Sequence, residues 1–444
     1  MERSAGDAWT GRAGFILAAI GGAIGLGNIW RFSYVAGENG GAVFLLVYGL
    51  CVVLIGLPVL LSEFVLGCRV RGDVLLAFSH PRAARAWRGA GVLAALVAFL
   101  ILSYYSVIAG WAFRYFVSYL DGTLPALPRE ALPAAFRDFV ADPLQPLFWH
   151  ALFMTLTTVV VAAGIARGIE RASRILMPVL AAMVILLAGY ALTLPGASRG
   201  LAFLFAPDWS ALATPRLYLA ALGQAFFSLG VAMGVMITYA GYVRSPERLA
   251  SSAAAVAAGD TLFAVVAGMA IFPIVFAFGM DPAFGPALAF VTLPQVFAVM
   301  PGGAWVGVAF FFLLSAAALT SAVSLLEVPV AIAARLGLPR ATVAVAFAAG
   351  AFAAGIPSAL GTGPWREVSF AGRGILETVD FLAADLLLPV VGIVVVLFVG
   401  WVLPREESLS QSGLPPRLSR AWLAVVRYLA PVAMVAFLVT LAFG

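Results

Sequence analysis

The stretch Gly21-Gly22-Ala23-Ile24-Gly25-Leu26-Gly27-Asn28-Ile29-Trp30-Arg31-Phe32 decides the fold. It sits inside an apolar block, residues 12–36, long enough to cross a bilayer as a helix, which takes about 20 residues. Yet four of the seven residues 21–27 are glycine. Each glycine weakens a helix interior by about 1 kcal/mol relative to alanine, so the block is expected to open at its centre. Bare peptide groups at membrane depth are tolerated only where they line a cavity within the protein. The break therefore points to a site; the plainer reading is that the glycines only let helices pack closely.

The rest of the chain supplies the membrane. Of its 444 residues 63% are hydrophobic and 11% charged, against about 25% charged in a soluble domain. Ten more apolar blocks follow, near 42–67, 90–118, 148–165, 174–194, 217–243, 251–279, 303–334, 340–356, 376–402 and 421–443. They are continuous rather than alternating, which argues for helices and against a barrel. The expectation is an all-α polytopic membrane protein, one domain over 1–444, with eleven transmembrane helices.

The +5 net charge is carried by arginine, because the chain has no lysine. The joints after even-numbered blocks hold most of it: Arg69, Arg71, Arg82, Arg85 and Arg88, then Arg167, Arg171 and Arg174, then Arg244 and Arg248, then Arg335 and Arg340, then Arg405, Arg417 and Arg420. The opposite joints hold fewer: Arg129, Arg137, Arg199, Arg216, Arg366 and Arg373. The positive-inside rule then places the N-terminus in the cytoplasm and the C-terminus outside an inner membrane. The arginines form no single stripe, which argues against nucleic acid as a partner. Cys51 and Cys68 make neither a disulfide framework nor a metal site. His80 and His150 are far apart, so no catalytic constellation is seen; an enzyme and an organic cofactor are not expected. The N-terminus shows no cleavable signal peptide.

Block 6 is also interrupted, by Ser228-Leu229-Gly230-Val231-Ala232-Met233-Gly234. Blocks 1 and 6 lie five apart, so two halves, about 12–194 and 217–402, can be read as an inverted 5+5 repeat, with 421–443 as an extra helix. Broken helices at matching positions of inverted halves mark a binding site near the membrane midplane.

These residues resemble the neurotransmitter:sodium symporter family, in its bacterial, leucine-transporter-like amino-acid branch. The likeness rests on Trp9, the 21–32 stretch, Glu38-Asn39-Gly40-Gly41, Tyr104-Tyr105, Gln224-Ala225-Phe226-Phe227-Ser228-Leu229-Gly230 and Leu319-Thr320-Ser321, in order along nearly the whole chain. It implies a sodium-coupled symporter importing a hydrophobic amino acid by alternating access. The matched substrate positions are Gly22, Ala23, Leu26, Gly27, Ile101, Tyr105, Phe227, Gly230, Met233, Ser321 and Leu325, with Ala322 beside them. Tyr105 would bind the substrate carboxylate, helped by N–H groups near Leu26 and Gly27, and the backbone around Phe227 would hold the ammonium. One sodium would be bound by the Ala23 carbonyl, Asn28, Ser228, Asp260 and the substrate carboxylate. A second would use carbonyls of Gly21, Ile24 and Ala317 with the hydroxyls of Thr320 and Ser321.

Asp260 is a charge inside block 7, where charges are costly and usually functional. Family members often carry asparagine there, and chloride-dependent ones bind an anion nearby. The matching chloride positions are Tyr48, Gln224, Ser228 and Ala264, and Ala264 lacks a hydroxyl. Chloride-independent transport is therefore expected, with the Asp260 carboxylate supplying the negative charge.

The outer gate matches Arg31 and Asp380, with Asp385 as the competitor for Arg31. The inner gate departs from the family pattern: Asp7 precedes Trp9, and Arg335 stands where an aspartate is usual. Asp7 is expected to pair with Arg335; Arg3 and Tyr242 are the alternative organisers. Glu63 could accept N–H groups freed by the break in block 6 or reach solvent from a helix end. Gly168, nine residues and Pro178 resemble the family's unwinding motif for release of the second sodium. No charged group lines the matched side-chain pocket, so charged substrates are excluded by desolvation. Gly22, Gly230 and the adaptable Met233 leave room for aromatic side chains such as tryptophan, with leucine-sized substrates equally open. A non-coupled sensor or channel of the same fold remains an alternative. So does a biogenic-amine transporter, although such members carry an acid where Gly22 and Ala23 stand here.

Overall fold

The apolar blocks wind into helices except where glycine clusters stop them. The computed structural model describes residues 8–81, 83–243, 248–281 and 289–443. Helix α1 comes in two pieces, Arg12–Ala23 and Gly27–Glu38, which meet at 53°. It is followed by α2 (Ala42–Val70), α3 (Arg85–Leu120), α4 (Gln145–Ala162) and α5 (Ile165–Leu192). Helix α6 is again split, into Pro215–Ser228 and Val235–Gly241. Then come α7 (Leu249–Ala277), α8 (Gly303–Arg335), α9 (Arg340–Gly361), α10 (Ile375–Val402) and α11 (Pro416–Ala442). Among the described residues nine spans are thus continuous and two are broken. This is the all-α, eleven-helix fold with a 5+5 inverted repeat. Short helices decorate the joints, and a two-residue hairpin pairs Ser369–Phe370 with Arg373–Gly374 before α10. Asp7, with Arg3, Arg82 and Arg244, lies outside the described residues.

Helix α8 packs along α3, and α1 is wedged against α5, α7 and α8. The contact faces carry small side chains, such as Ala316, Ala317 and Ala318 of α8 and Ala18 and Ala19 of α1, all buried. Small residues let helix backbones approach closely in a membrane, where lipid removes the hydrophobic drive for association. The outward faces are apolar instead of polar: Leu50 and Val53 on α2, Ile185 and Leu186 on α5, and Val432 and Val439 on α11 are exposed. The two breaks, in α1 and α6, face one another in the middle of this packing, between α3 and α8.

Candidate functional site

The break in α1 leaves residues 24–26 between its two pieces, and the N–H groups of Gly25 and Leu26 find specific side-chain partners. The Leu26 N–H donates to the Tyr105 hydroxyl at 3.0 Å. The Gly25 N–H donates to Asn28 Oδ1 at 3.0 Å. Gly25 must lack a side chain: a Cβ there would stand 2.4 Å from Ser321 Oγ and 2.6 Å from the Tyr105 hydroxyl. Gly27 is similarly constrained by the Phe227 ring, 2.9 Å from where its Cβ would be.

The break in α6 spans residues 229–234 and turns through three left-handed residues, Gly230 (φ +61°), Ala232 (φ +65°) and Gly234 (φ +71°). An alanine in that region costs about 1–2 kcal/mol. It is held there by Glu63 of α2, a fully buried side chain whose Oε1 accepts the Ala232 N–H at 2.5 Å. Of the two readings of Glu63, this is the acceptor for N–H groups freed by the break.

Between the breaks lies a tight pocket of about 20 Å³. Of the residues expected from sequence, Gly22, Ala23, Gly27, Ile101, Tyr105, Phe227, Gly230, Met233, Ser321 and Leu325 line it. Leu26 does not; it lines a larger vestibule directly above, of about 780 Å³. Tyr105 and Phe227 border both spaces and form the partition between them. Gly25, Val235 and Ser324 also line the pocket. Gly25 was visible as part of the glycine cluster, whereas Val235 and Ser324 are brought in only by the turn of α6 and the rotation of α8.

The side chains of the first ion set, Asn28, Ser228 and Asp260, bond directly to one another. Asn28 Nδ2 donates to Asp260 Oδ1 at 2.6 Å and to Ser228 Oγ at 3.0 Å. Ser228 Oγ donates to Asp260 Oδ2 at 2.7 Å. Tyr48 reaches the same cluster, 3.3 Å from Ser228 Oγ and 3.5 Å from Asp260 Oδ2. Gln224 instead donates to the Gly27 carbonyl at 2.9 Å, and Ala264 is buried. The second set converges as well. Ser321 Oγ lies 3.1 Å from the Ile24 carbonyl, and Thr320 Oγ1 lies 2.9 Å from the Ala317 carbonyl and 3.4 Å from that of Ile24. A Cβ added at Gly21 would lie 3.4 Å from the Thr320 Cβ, so the two residues adjoin. Among the described residues no three His, Cys, Asp or Glu gather as for a transition metal. The oxygens present are carbonyls, hydroxyls and one carboxylate, which suit a hard cation.

The outer gate differs from expectation in its pairing. Arg31 pairs with Asp385 at 3.7 Å, not with Asp380, which lines the same vestibule. Helix α10 is wound as a π-helical turn over Phe381–Leu387, which resets its register just past Asp380 and turns Asp385 toward Arg31. The Arg31 guanidinium also lies over the Phe227 ring, 4.6 Å from its centroid. At the opposite, N-terminal end, Arg335 pairs with Asp73, while its expected partner Asp7 lies outside the described residues. Asp73 is fixed there because it caps the short helix Val74–Ala77, accepting the Leu75 N–H at 2.8 Å.

That end of the bundle is shut. Trp9 is buried, donates through Nε1 to the Tyr239 carbonyl at 2.8 Å and packs edge-on against Tyr239 and Tyr242. Tyr242 donates to Glu327 Oε1 at 2.6 Å, and Glu327 is paired with Arg340. Glu170, at the start of α5, accepts the Thr10 N–H at 2.9 Å and pairs with Arg174 at 2.6 Å. Sequence reasoning missed Glu170 and Asp73, since an acid among joint arginines reads as a solvated charge. Gly168 sits in a π-helical turn, Ile165–Glu170, where a Cβ would strike the Val160 carbonyl at 2.0 Å, and Pro178 lies inside the same span.

Comparison with known proteins agrees with this architecture. The model of the sodium:neurotransmitter symporter family matches residues 6–128 and 144–442. The chain belongs to that family. Its members are sodium-coupled transporters rather than enzymes. The symporter is 37% identical over 433 residues to an uncharacterised sodium-dependent transporter, YhdH, of Bacillus subtilis, covering 96% of each chain. It is 33% identical to an uncharacterised sodium-dependent transporter of Haemophilus influenzae, covering 97% of each. Among solved structures, MhsT in complex with L-phenylalanine superposes with a TM-score of 0.92 at 48% identity, over 98% of this chain and 99% of that one.

Proposed function

We propose that this symporter imports a hydrophobic amino acid, aromatic ones included, coupled to two sodium ions and without need of chloride. The observation that carries the reading is the convergence, at one point, of the α1 break, the Tyr105 hydroxyl and the Asn28–Ser228–Asp260 cluster. A zwitterion needs donors for its carboxylate and acceptors for its ammonium. The Tyr105 hydroxyl, already held by the Leu26 N–H, supplies a donor, and the positive end of the half-helix beginning at Gly27 adds to it. The carbonyls of Gly22 and Ala23 end the first half-helix and are acceptors.

The pocket between the breaks is tightly closed in this conformation, with a volume of about 20 Å³, so an amino acid would have to widen it on binding. Its walls are apolar apart from hydroxyls, which favours a hydrophobic side chain. The relative MhsT, described with L-phenylalanine, supports an aromatic substrate. Sodium in the first site would require the Asn28 amide to turn its oxygen inward; the two amide orientations are nearly isosteric. The substrate carboxylate would complete that site, so each ligand binds better with the other. Asp260, fully buried, brings the negative charge that a chloride ion would otherwise supply.

In this reading the N-terminus is cytoplasmic and the vestibule opens outward. The shut end, built on Trp9, Tyr242 and Glu327, is the inner gate. A thermal-shift panel of the twenty amino acids in sodium against potassium tests the substrate class. Stabilisation by phenylalanine, tryptophan or leucine in sodium alone supports it; stabilisation by a charged amino acid or an amine, or equal shifts in potassium, contradicts it.

A further inference from the structure

We propose that a cleft at the N-terminal end of the bundle binds a phosphate group. Even-numbered spans end, and odd-numbered spans begin, at that end. The cleft lies where α2 ends, α7 begins and the segment between α10 and α11 crosses them. Its walls include Arg69, Arg71, Arg248, Gln411 and Gly413. It is distinct from the pocket and vestibule described above, shares no residue with either, and has a volume of about 540 Å³.

Four features of its walls favour an anion. Arg69 is anchored, with Nη2 donating to the carbonyls of Ala77 at 2.7 Å and Ser79 at 2.8 Å. Its side chain is only 9% exposed, yet its Nε has no hydrogen-bond partner. Arg71 and Arg248 are exposed and make no ion pair among the described residues. The first turn of α7, a 29-residue helix, has no side-chain cap. Its N–H groups face Gly413, whose Cβ, if present, would lie 3.6 Å from Leu249 N, 3.9 Å from Arg248 N and 4.0 Å from Ala250 N. An uncapped helix start beside guanidinium groups is an anion site by both dipole and donors.

Gln411 adds to this. Its side-chain oxygen is buried without a partner, and turning the amide would present its NH₂ donors. The carboxylate paired with the group is Glu407, 3.9 Å from Arg69 and 3.4 Å from His80. Among the described residues, one acid against three arginines makes the cleft cationic. Arginine forks match phosphate oxygens two at a time. At the membrane surface that chemistry is offered by an anionic phospholipid headgroup, and in solution by inorganic phosphate.

The test uses the full-length protein. Its thermal transition is followed in detergent with sodium phosphate against sodium chloride at equal ionic strength. A second arm uses nanodiscs of phosphatidylglycerol against phosphatidylcholine alone. Stabilisation in the phosphatidylglycerol arm only identifies a lipid headgroup; stabilisation by phosphate in detergent identifies the free anion; either supports the proposal. In the Arg71→Gln/Arg248→Gln variant, whose changed side chains are exposed and so leave packing intact, the apparent affinity should fall about tenfold or more. Sodium-dependent amino-acid binding should not change. No stabilisation in either arm, or an undiminished shift in the double variant, overturns the proposal.

Discussion

Asn28 and Asp260 meet in the core of the bundle, 2.6 Å apart between Nδ2 and Oδ1, and neither side chain has any exposure. Their contact joins the second half of α1 to α7 at the point where a cation would share the substrate carboxylate. Replacing Asp260 by asparagine keeps the shape and removes the charge. Loss of a charge-assisted ligand is worth about 1.5–3 kcal/mol. The expected result is a sodium half-saturation for uptake raised about tenfold to a hundredfold. Wild-type uptake should be the same in chloride and in gluconate.

Gly25→Ala tests the geometry of the break. The added methyl would collide with both Ser321 Oγ and the Tyr105 hydroxyl. Overpacking of this kind costs about 1–3 kcal/mol. Substrate-induced thermal stabilisation should vanish, while the protein still folds and purifies as a monodisperse species.

Tyr105→Phe leaves the ring and its packing but deprives the Leu26 N–H of its acceptor. The substrate carboxylate would lose its hydroxyl donor at the same time. Uptake assays should show KM raised about tenfold to a hundredfold, in keeping with one hydrogen bond to a charged group. The sodium dependence should remain.

Glu63 and Ala232 form a separable structural pair. Glu63→Ala frees the Ala232 N–H in a buried turn, which costs about 1–3 kcal/mol. Ala232→Gly relieves a left-handed residue and should stabilise by about 1 kcal/mol. Thermal unfolding of the two single variants and the double variant reads both signs; the double should recover part of the loss.

Trp9 and Tyr242 keep the N-terminal end shut. Trp9→Ala removes both the hydrogen bond to the Tyr239 carbonyl and the edge-on ring contacts. Hydrogen exchange should then speed up across Arg12–Ala23 relative to wild type, while α3 and α8 remain protected.

The spans and both breaks were legible because membrane burial demands long apolar runs and glycine clusters interrupt them. The pocket residues were legible through family resemblance, and ten of the eleven expected substrate positions line one cavity. The ionic pairings were not. Arg31 chooses Asp385 because a π-helical turn shifts the register of α10, and nothing in the apolar pattern around Phe381–Leu387 signals that turn. Arg335 meets Asp73, a capping aspartate fixed beside the end of α8. Charge partners among joint residues depend on where two helix ends meet in space, which spacing along one chain does not encode. Glu170 was hidden for the same reason: its partner Thr10 lies 160 residues away.

The most direct measurement is uptake of labelled phenylalanine into proteoliposomes with an imposed sodium gradient. Accumulation driven by inward sodium, lost when choline replaces sodium and kept when gluconate replaces chloride, is the result expected. Accumulation indifferent to sodium, or dependent on chloride, would contradict the coupling assigned to the two broken helices and Asp260.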